Sequence, residues 1–258
     1  MSTLAVIPAR LGARRLTRKP LRLLGGVPLI VRVWQRISQL GVADRCVIAS
    51  DSDEVAAAAR GVGAECVITA ATHPSGTDRV AEVVAMPGFD AYDVIVNVQG
   101  DEPFVPAAAV LGAAQMVTSK RFTLGTAATA MGQRSISSPH VVKVVSTDDG
   151  RAMYFSRAEI PCSREAEGRT LQARFARQHI GVYAYTRDAL AQWVILPQHP
   201  LEQIERLEQL RPLAAGMAMG VALIDEIPPG GIDTEDDLAH ANEIWPHFIQ
   251  GRPLDGQH

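Results

Sequence analysis

Short runs of apolar residues alternate along the first half of the chain with longer stretches in which apolar residues recur every three or four positions. The short runs are typical of buried strands, and the longer stretches predict amphipathic helices. The predicted strands are 3–9, 45–50, 65–69 and 92–98. The predicted helices are 28–41, 53–63, 77–85 and 106–117, the third beginning at Thr77. This alternation predicts an α/β fold with a doubly wound, mostly parallel sheet.

The pattern changes after residue 120, where β-like segments follow one another without an intervening helix. These segments are 123–131, 141–148 and 151–157, and an Asp-Gly pair predicts a turn between the last two. The Arg-rich stretch at 162–177 is expected to be a loop or a short helix.

Strands and helices return towards the end of the chain. Strands are predicted at 179–186 and 220–226, and helices at 188–195, 200–213 and 234–248. We therefore expect one domain over 1–251, with a β-rich insertion at about 120–186, and a tail at 252–258.

Composition excludes several classes of protein. The chain has 258 residues, is 47% hydrophobic and carries a formal net charge of -3, with 5% aromatic residues. A substantial core is therefore expected, and a nucleic-acid partner is not. No apolar run approaches the roughly 20 residues that span a bilayer, and we expect no signal peptide and no membrane association. Three widely spaced cysteines favour a reducing, cytoplasmic location.

A basic segment follows the first predicted strand. Residues 8–22 contain six cationic side chains and no acidic one: Arg10, Arg14, Arg15, Arg18, Lys19 and Arg22. Ligands of doubly wound sheets bind beyond the carboxyl ends of the strands, where this segment begins. Arginine forks and a lysine point charge there favour a phosphate site. The alternative is a solvated basic loop.

Acidic side chains are predicted at the same rim. The fourth strand ends at "QGDEP", which contains Gln99, Asp101 and Glu102, and Asp233 directly precedes the last predicted helix. Carboxylates that face a basic loop suit a Mg²⁺ ion bridging phosphates. The alternatives are an Asp-Glu-Pro turn and a helix cap, although capping by Thr234 leaves Asp233 free to point elsewhere.

Polar residues in the second half are candidates with simpler alternatives. Arg157, His179, Glu208 and Gln209 lie in "YFSRAEIP", "RQHIGVYAY" and "LEQLR". A single histidine is more often a core or surface residue, and Glu208 with Arg211 matches an i,i+3 surface pair.

Several stretches together resemble the 3-deoxy-manno-octulosonate (Kdo) cytidylyltransferase family over about residues 3–245. They are "VIPARLGARRLTRKPLRLLGGVPLIVRV", "HPSGTDRVAEV", "VNVQGDEPFV", "VVKVV", "AMYFSRAEIP", "RQHIGVYAY", "PLEQIERLEQLR" and "GIDTEDDL". The resemblance implies a Rossmann-like nucleotidyltransferase fold, of the nucleotide-diphospho-sugar transferase type, as a three-layer sandwich with an inserted β arm. The β-rich insertion at about 120–186 would contribute to dimerisation and to the sugar site. It also implies a homodimer that transfers CMP from CTP to the anomeric hydroxyl of the acidic eight-carbon sugar Kdo, releasing pyrophosphate, for lipopolysaccharide biosynthesis.

The resemblance assigns roles residue by residue. The catalytic residues would be Lys19, Asp101 and Asp233, of which Asp101 and Asp233 would hold Mg²⁺. The CTP-binding residues would be Arg10, Arg15, Lys19, Ser75 and Arg79. The sugar-binding residues would be Gln99, Arg157, His179, Tyr183, Glu208 and Gln209, with Arg157 on the sugar carboxylate.

The phosphate loop departs from the family pattern S-x-R-L-P-G-K-P. Ala13, Thr17 and Arg18 stand where the family has Ser, Pro and Gly. Two alternatives therefore stay open: the same chemistry on a related sugar such as 8-amino-Kdo, and a non-catalytic nucleotide-binding protein with a decayed loop. Arg18 itself is expected either to contact a phosphate or to point to solvent.

Overall fold

Strands and helices alternate in the computed structural model largely as the apolar pattern predicts. The structure describes residues 1–12, 15–131 and 136–251, so the expected tail at 252–258 and the departure at Ala13 lie outside the described residues. The strands are β1 Thr3–Ala9, β2 Leu23–Leu24, β3 Val27–Pro28, β4 Arg45–Ser50, β5 Glu65–Ile68, β6 Val94–Val98, β7 Leu124–Ala130, β8 Lys143–Ser146, β9 Ala152–Ser156, β10 Arg177–Thr186 and β11 Met219–Ile224.

Helices connect most of these strands. The α-helices are α1 Leu29–Leu40, α2 Asp53–Arg60, α3 Gly76–Ala85, α4 Ala107–Thr118, α5 Arg169–Phe175, α6 Arg187–Ile195, α7 Pro200–Glu205, α8 Leu210–Ala214 and α9 Glu235–Ile249. Short 3-10 helices lie at Lys19–Leu21 and Ala166–Gly168. Among the described residues, none of these helices has both the length and the apolar character needed to cross a bilayer.

The central sheet has the predicted doubly wound, mostly parallel architecture. Its strand order is β11-β7-β10-β6-β1-β4-β5. Strand β1 pairs in parallel with both β4 and β6, and β10 runs antiparallel between β6 and β7. The carboxyl ends of β1, β4 and β6 therefore open onto one rim, as the sequence predicts.

The β-rich insertion is smaller than the expected span of 120–186. Strands β7 and β10, near its two ends, belong to the central sheet. Strands β8 and β9 form an antiparallel hairpin that branches from β10, and α5 follows the hairpin. Gly150 adopts a φ of +83° in the turn between β8 and β9, a conformation that glycine enters without steric cost. We call residues 136–176 the arm.

Two helices differ from the sequence prediction. Helix α3 is capped by Ser75, whose Oγ accepts the Asp78 backbone N–H, rather than beginning at Thr77. The predicted helix over 200–213 is two helices, because Arg206 takes a left-handed conformation and ends α7. Apolar periodicity encodes neither difference, since the first arises from a hydrogen bond at a helix terminus and the second from the left-handed backbone of Arg206.

Apolar layers cover both faces of the sheet. On one face, helices α1, α2 and α4 pack on residues such as Ile7 and Val96, and on the other, α3 and α6 pack on Leu4 and Ile95. A third cluster joins the phosphate loop to α9 through Leu16, Leu29, Phe104, Ile232, Leu238 and Trp245. This cluster fixes the beginning of α9, and with it Asp233, beside the basic segment.

Candidate active site

A cavity of about 850 Å³ opens at the rim formed by β1, β4 and β6. Nine of the predicted site residues line it: Arg10, Arg15, Lys19, Ser75, Arg79, Gln99, Asp101, Glu208 and Asp233. The cavity is large enough for a nucleotide and a sugar, since ligand pockets commonly measure about 300–1,000 Å³.

Lys19, Asp101 and Asp233 form a cluster in this cavity, although the chain separates them widely. The Lys19 Nζ donates hydrogen bonds to Asp101 Oδ2 and, at 2.7 Å, to Asp233 Oδ1. Burial by itself lowers the pKa of Lys19, but the two carboxylates outweigh burial and raise that pKa above its usual value. Lys19 is therefore a permanent positive charge between two carboxylates.

Asp233 is free for this cluster because its neighbour caps α9. The Thr234 Oγ1 accepts the Asp237 backbone N–H, and Asp237 in turn accepts the Thr234 N–H. Burial raises the pKa of Asp233, but Lys19 and Arg15 outweigh it and bring the pKa below its usual value. The Ile232 N–H also donates to the Asp101 carbonyl at 2.9 Å, which ties the two carboxylate segments together.

Four cations of the basic segment, Arg15, Arg18, Lys19 and Arg22, pair with carboxylates of the protein itself. Arg15 pairs with Asp233 at 2.8 Å, and Arg22 pairs with Glu235 through both guanidinium nitrogens. Arg18 pairs with Glu54 at the beginning of α2 and its side chain is half exposed, which agrees with the expected solvent position, while the phosphate contact stays a prediction. These pairs explain how clustered cations coexist without strong mutual repulsion.

Arg18 occupies an unusual backbone conformation. Its φ of 55° and ψ of 33° lie in the left-handed region, which glycine adopts at little cost. The loop therefore keeps the shape expected of a glycine at this position. The Glu54 ion pair directs the Arg18 side chain away from Lys19 and towards α2.

Glu102 adds a third carboxylate beside the cluster. Burial, followed by the neighbouring Asp101, raises the pKa of Glu102 to about 8. A Cβ at Gly231 would lie 2.8 Å from Glu102 Oε1, so the segment before α9 approaches this carboxylate too closely for a larger residue. The "QGDEP" segment therefore brings Asp101 and Glu102 to this cluster, in addition to the turn considered from the sequence.

The wall near α3 contains Ser75 and Arg79. The Arg79 side chain is buried and donates to Asp51 Oδ2 at 2.9 Å and to Thr69 Oγ1. The Ser75 Oγ lies 2.6 Å from Glu208 Oε1 and also within hydrogen-bonding distance of Asp78. The surface-pair alternative for Glu208 is wrong, because Arg211 pairs with Glu202 instead.

Four predicted sugar-site residues do not line the cavity in this structure. They are Arg157, His179, Tyr183 and Gln209. The Arg157 guanidinium donates to the backbone carbonyls of Glu205, at 2.9 Å, and Pro139, at 3.0 Å. Gln209 is 3% exposed and precedes α8.

His179 and Tyr183 belong to the packing of β10. The His179 ring lies between Phe155 and Tyr183, with ring centroids 5.0 and 5.4 Å away, and its Nε2 is 2.9 Å from Thr126 Oγ1. Burial lowers the pKa of His179 to about 3. This ring is therefore neutral at physiological pH, in agreement with the simpler alternative for a single histidine.

The structure adds two cavity residues with titratable side chains that the sequence reasoning missed, His73 and Arg206. His73 lies in the quoted "HPSGTDR" segment, and its Nε2 contacts Glu82, which also accepts the Ala70 N–H at 2.9 Å. Arg206 lies inside a stretch with helical periodicity, which gave no signal that its backbone would leave the helix.

Comparisons with known proteins agree with this geometry. A family model described as cytidylyltransferase matches residues 4–219. The chain is 59% identical to the 3-deoxy-manno-octulosonate cytidylyltransferase of Gemmatimonas aurantiaca, with 95% of each chain covered. It is 42% identical to the enzyme of the same name from Polynucleobacter asymbioticus, covering 93% of this chain and 94% of the relative.

A solved structure extends the match to three dimensions. The structure of a CMP:2-keto-3-deoxy-manno-octonic acid synthetase complexed with CTP aligns with a TM-score of 0.88 and 33% identity. The alignment covers 96% of this chain and all of the other. With the Lys19 cluster in the cavity at the expected rim, these matches show that the chain belongs to the 3-deoxy-manno-octulosonate cytidylyltransferase family.

Proposed function

We propose that this protein is an enzyme that transfers CMP from CTP to the anomeric hydroxyl of Kdo, giving CMP-Kdo and pyrophosphate. The observation that carries the proposal is the cluster of Lys19, Asp101 and Asp233 in the cavity of a member of this family. An activated acidic sugar of this kind supplies lipopolysaccharide biosynthesis.

The reaction needs charge neutralisation and alignment more than acid–base chemistry. The anomeric oxygen attacks the α-phosphorus in line, and the bond to the oxygen bridging the α- and β-phosphorus breaks. Arg10 and Arg15 hold the triphosphate at the end of β1, and Lys19 stabilises the negative charge that grows on the leaving pyrophosphate. On binding, phosphate oxygens replace carboxylates as the partners of Arg15 and Lys19.

We further propose that Asp101 and Asp233 hold Mg²⁺ together with phosphate oxygens. Among the described residues, no group of three or more His, Cys, Asp or Glu side chains is arranged to enclose a metal ion. Two carboxylates that share one lysine fit a Mg²⁺ ion completed by substrate and water, its usual coordination in nucleotide enzymes. The bound ion would supply charge that stabilises the attacking and leaving oxygens.

The described part of the phosphate loop, residues 15–22, supports catalysis over the non-catalytic alternative. Lys19 lies in the cluster despite Thr17 and Arg18, because the Arg18 backbone adopts the conformation that a glycine would have. No observation favours 8-amino-Kdo over Kdo.

Pyrophosphate release tests the proposal directly. Purified protein is incubated with CTP, Mg²⁺ and Kdo, beside reactions without sugar and with ATP, GTP or UTP. Release that requires Kdo and prefers CTP supports the proposal. If no pyrophosphate is released with Kdo but another acidic sugar gives release, the Kdo assignment is contradicted. CTP binding without release for any sugar supports the non-catalytic alternative.

We also propose a cytoplasmic homodimer. The arm exposes Met153, Leu171 and Phe175, each more than half accessible, and apolar side chains in this number suit a subunit interface. Cys46, Cys66 and Cys162 are free thiols, which suits a reducing compartment. Sedimentation equilibrium at micromolar concentrations tests the dimer, and a monomer there contradicts it.

A further inference from the structure

The cationic side chains of the cavity differ in whether the protein already neutralises them. Arg15, Lys19 and Arg79 pair with carboxylates. Among the described residues, Arg10 and Arg206 line the same cavity and make no ion pair. Arg10 belongs to the phosphate loop, whereas Arg206 comes from the junction of α7 and α8. The α7–α8 junction forms the wall beside α3, since Glu208 contacts Ser75.

Arg206 is held in a backbone conformation that arginine rarely adopts. It ends α7 with a φ of 55° and a ψ of 45°, in the left-handed region where glycine is usual. Non-glycine residues persist there when the surroundings determine the conformation, and such positions concentrate at functional sites. The exposed Arg206 guanidinium makes no hydrogen bond with the described residues, so it is available to a ligand.

The surroundings of Arg206 are fixed on both sides. The buried ion pair between Glu202 and Arg211 joins α7 to α8 across the junction. On the arm side, Glu205 is held through its side chain, which accepts the Ser156 hydroxyl and the Arg157 N–H, at 2.6 and 2.9 Å.

Arg157 completes this support through its guanidinium. Its Nε donates to the backbone carbonyl of Glu205, the residue directly before Arg206. Lys143, on strand β8 of the arm, donates to the Arg157 carbonyl. Arg157, expected from the resemblance to bind the sugar carboxylate, therefore uses two of its guanidinium nitrogens, Nε and Nη1, on the protein in this structure.

We propose that Arg206 binds the carboxylate of the acidic sugar and that Arg157 is a positioning residue for it. The inference rests on the proposed function, because it assigns a recognition role within that reaction. The planar guanidinium fork matches a carboxylate in geometry as well as in charge. The neighbouring Glu208 does not neutralise Arg206, since it accepts from Ser75 and burial raises its pKa.

Arg206→Gly is the sharpest variant, because glycine keeps the left-handed backbone and removes the guanidinium. Initial rates are measured against Kdo at saturating CTP, and against CTP at saturating Kdo. We expect the KM for Kdo to rise about tenfold or more while the KM for CTP stays within about twofold. Arg206→Lys should recover part of the loss, and Arg60→Gln, on the exposed end of α2, should match the unchanged protein.

A sugar analogue separates charge recognition from a disturbed loop. The C1 amide of Kdo has the same shape without the negative charge. The unchanged protein should prefer the acid in kcat/KM by about tenfold or more, and Arg206→Gly should lose most of that preference. Arg157→Gln should weaken the preference as well, because it releases the Glu205 carbonyl.

The outcomes separate a failure of the proposed function from a failure of the Arg206 assignment. An unchanged protein that fails to turn over Kdo overturns the proposed function. An active protein whose Arg206→Gly variant keeps both its KM for Kdo and its preference for the acid overturns the assignment of Arg206 alone. An Arg157→Gln variant that loses the preference while Arg206→Gly keeps it returns the carboxylate to Arg157.

Discussion

The charged side chains at the two ends of the cavity have different kinds of partner. At the phosphate end, which comprises the described residues of 10–22 with Asp101 and Asp233, the predicted residues lie in the cavity, and all of them but Arg10 pair with one another. At the junction end, which comprises the arm, β10 and residues 199–214, several predicted residues serve the fold instead. Arg157 supports a helix end and His179 packs in an aromatic cluster.

A charged residue in a family motif can therefore have either of two roles. It binds a ligand, or it holds the backbone that positions another residue. Ion pairs at the phosphate end are partly exposed and exchange readily for phosphate oxygens. Hydrogen bonds from Arg157 to backbone carbonyls hold the chain in place and are costly to break. Variants at the two ends should therefore fail in different ways.

The largest expected effect is on turnover at the phosphate end. Asp101→Asn should lower kcat about 1,000-fold, because one negative charge is lost where transition-state charge is balanced. The Kd for CTP should change far less, since Arg10 and Arg15 remain. Pyrophosphate release and calorimetric CTP binding measure the two quantities. Asp148→Asn, on the exposed hairpin turn, is the matched control, and a kcat for Asp101→Asn within threefold of the unchanged protein removes Asp101 from the site.

At the junction end, the largest expected effect is on stability. Glu202→Gln leaves the Arg211 guanidinium buried without its partner, both side chains being 7% exposed. The free energy of unfolding should fall by about 3 kcal/mol in urea titrations. The double variant Glu202→Gln with Arg211→Met should recover much of this loss, because no unpaired charge remains. Equal losses in the single and double variants contradict the ion-pair explanation.

His179 gives the junction end a pH dependence of stability in the acid range. Its folded pKa of about 3 lies below the unfolded value of about 6.5, so the unfolded chain takes up the proton first. The contribution to stability is complete above pH 6.5 and is lost as the pH falls towards 3. At pH 5 the buried neutral ring of His179 should lower the free energy of unfolding by about 2 kcal/mol.

Urea titrations at pH 7.5 and pH 5 measure this effect. His179→Gln should lose about 2 kcal/mol less between the two pH values than the unchanged protein. His240→Gln, at an exposed histidine on α9, should keep the full pH dependence. Identical pH dependence in the His179 variant contradicts a buried neutral ring.

The smallest expected effect concerns the altered phosphate loop. Arg18→Gly removes an exposed ion pair with Glu54 and relieves a left-handed arginine backbone. We expect the Tm to rise, by no more than about 4 °C, and kcat/KM for CTP to stay within about twofold. Glu54→Gln, which removes the pair but not the backbone strain, should not raise the Tm. A large loss of activity in Arg18→Gly means that the arginine side chain has a role in the reaction.

Much of the fold could be predicted because its signals are local. The apolar runs at 3–9 and 45–50 predict β1 and β4 with the bounds the structure has, and of the two candidate caps, Asp233 and Thr234, the structure uses Thr234. The break at Arg206 could not be predicted, since "PLEQIERLEQLR" has continuous helical periodicity. The break depends on the contact of Glu205 with the arm and on the Glu202–Arg211 ion pair. These contacts join residues that are far apart in the chain or that lie on different helices.

Strand periodicity and chain order dictate the doubly wound sheet, the rim at which ligands bind and the residue types that gather there. The tertiary structure alone decided which of those side chains reach the cavity. Lys19 enters it because α9 packs on the phosphate loop through Leu16 and Trp245. Arg157 stays outside because the carbonyl of Glu205 needs a donor and Arg157 is the residue that the arm places beside it. Only the folded chain sets which donor meets which acceptor.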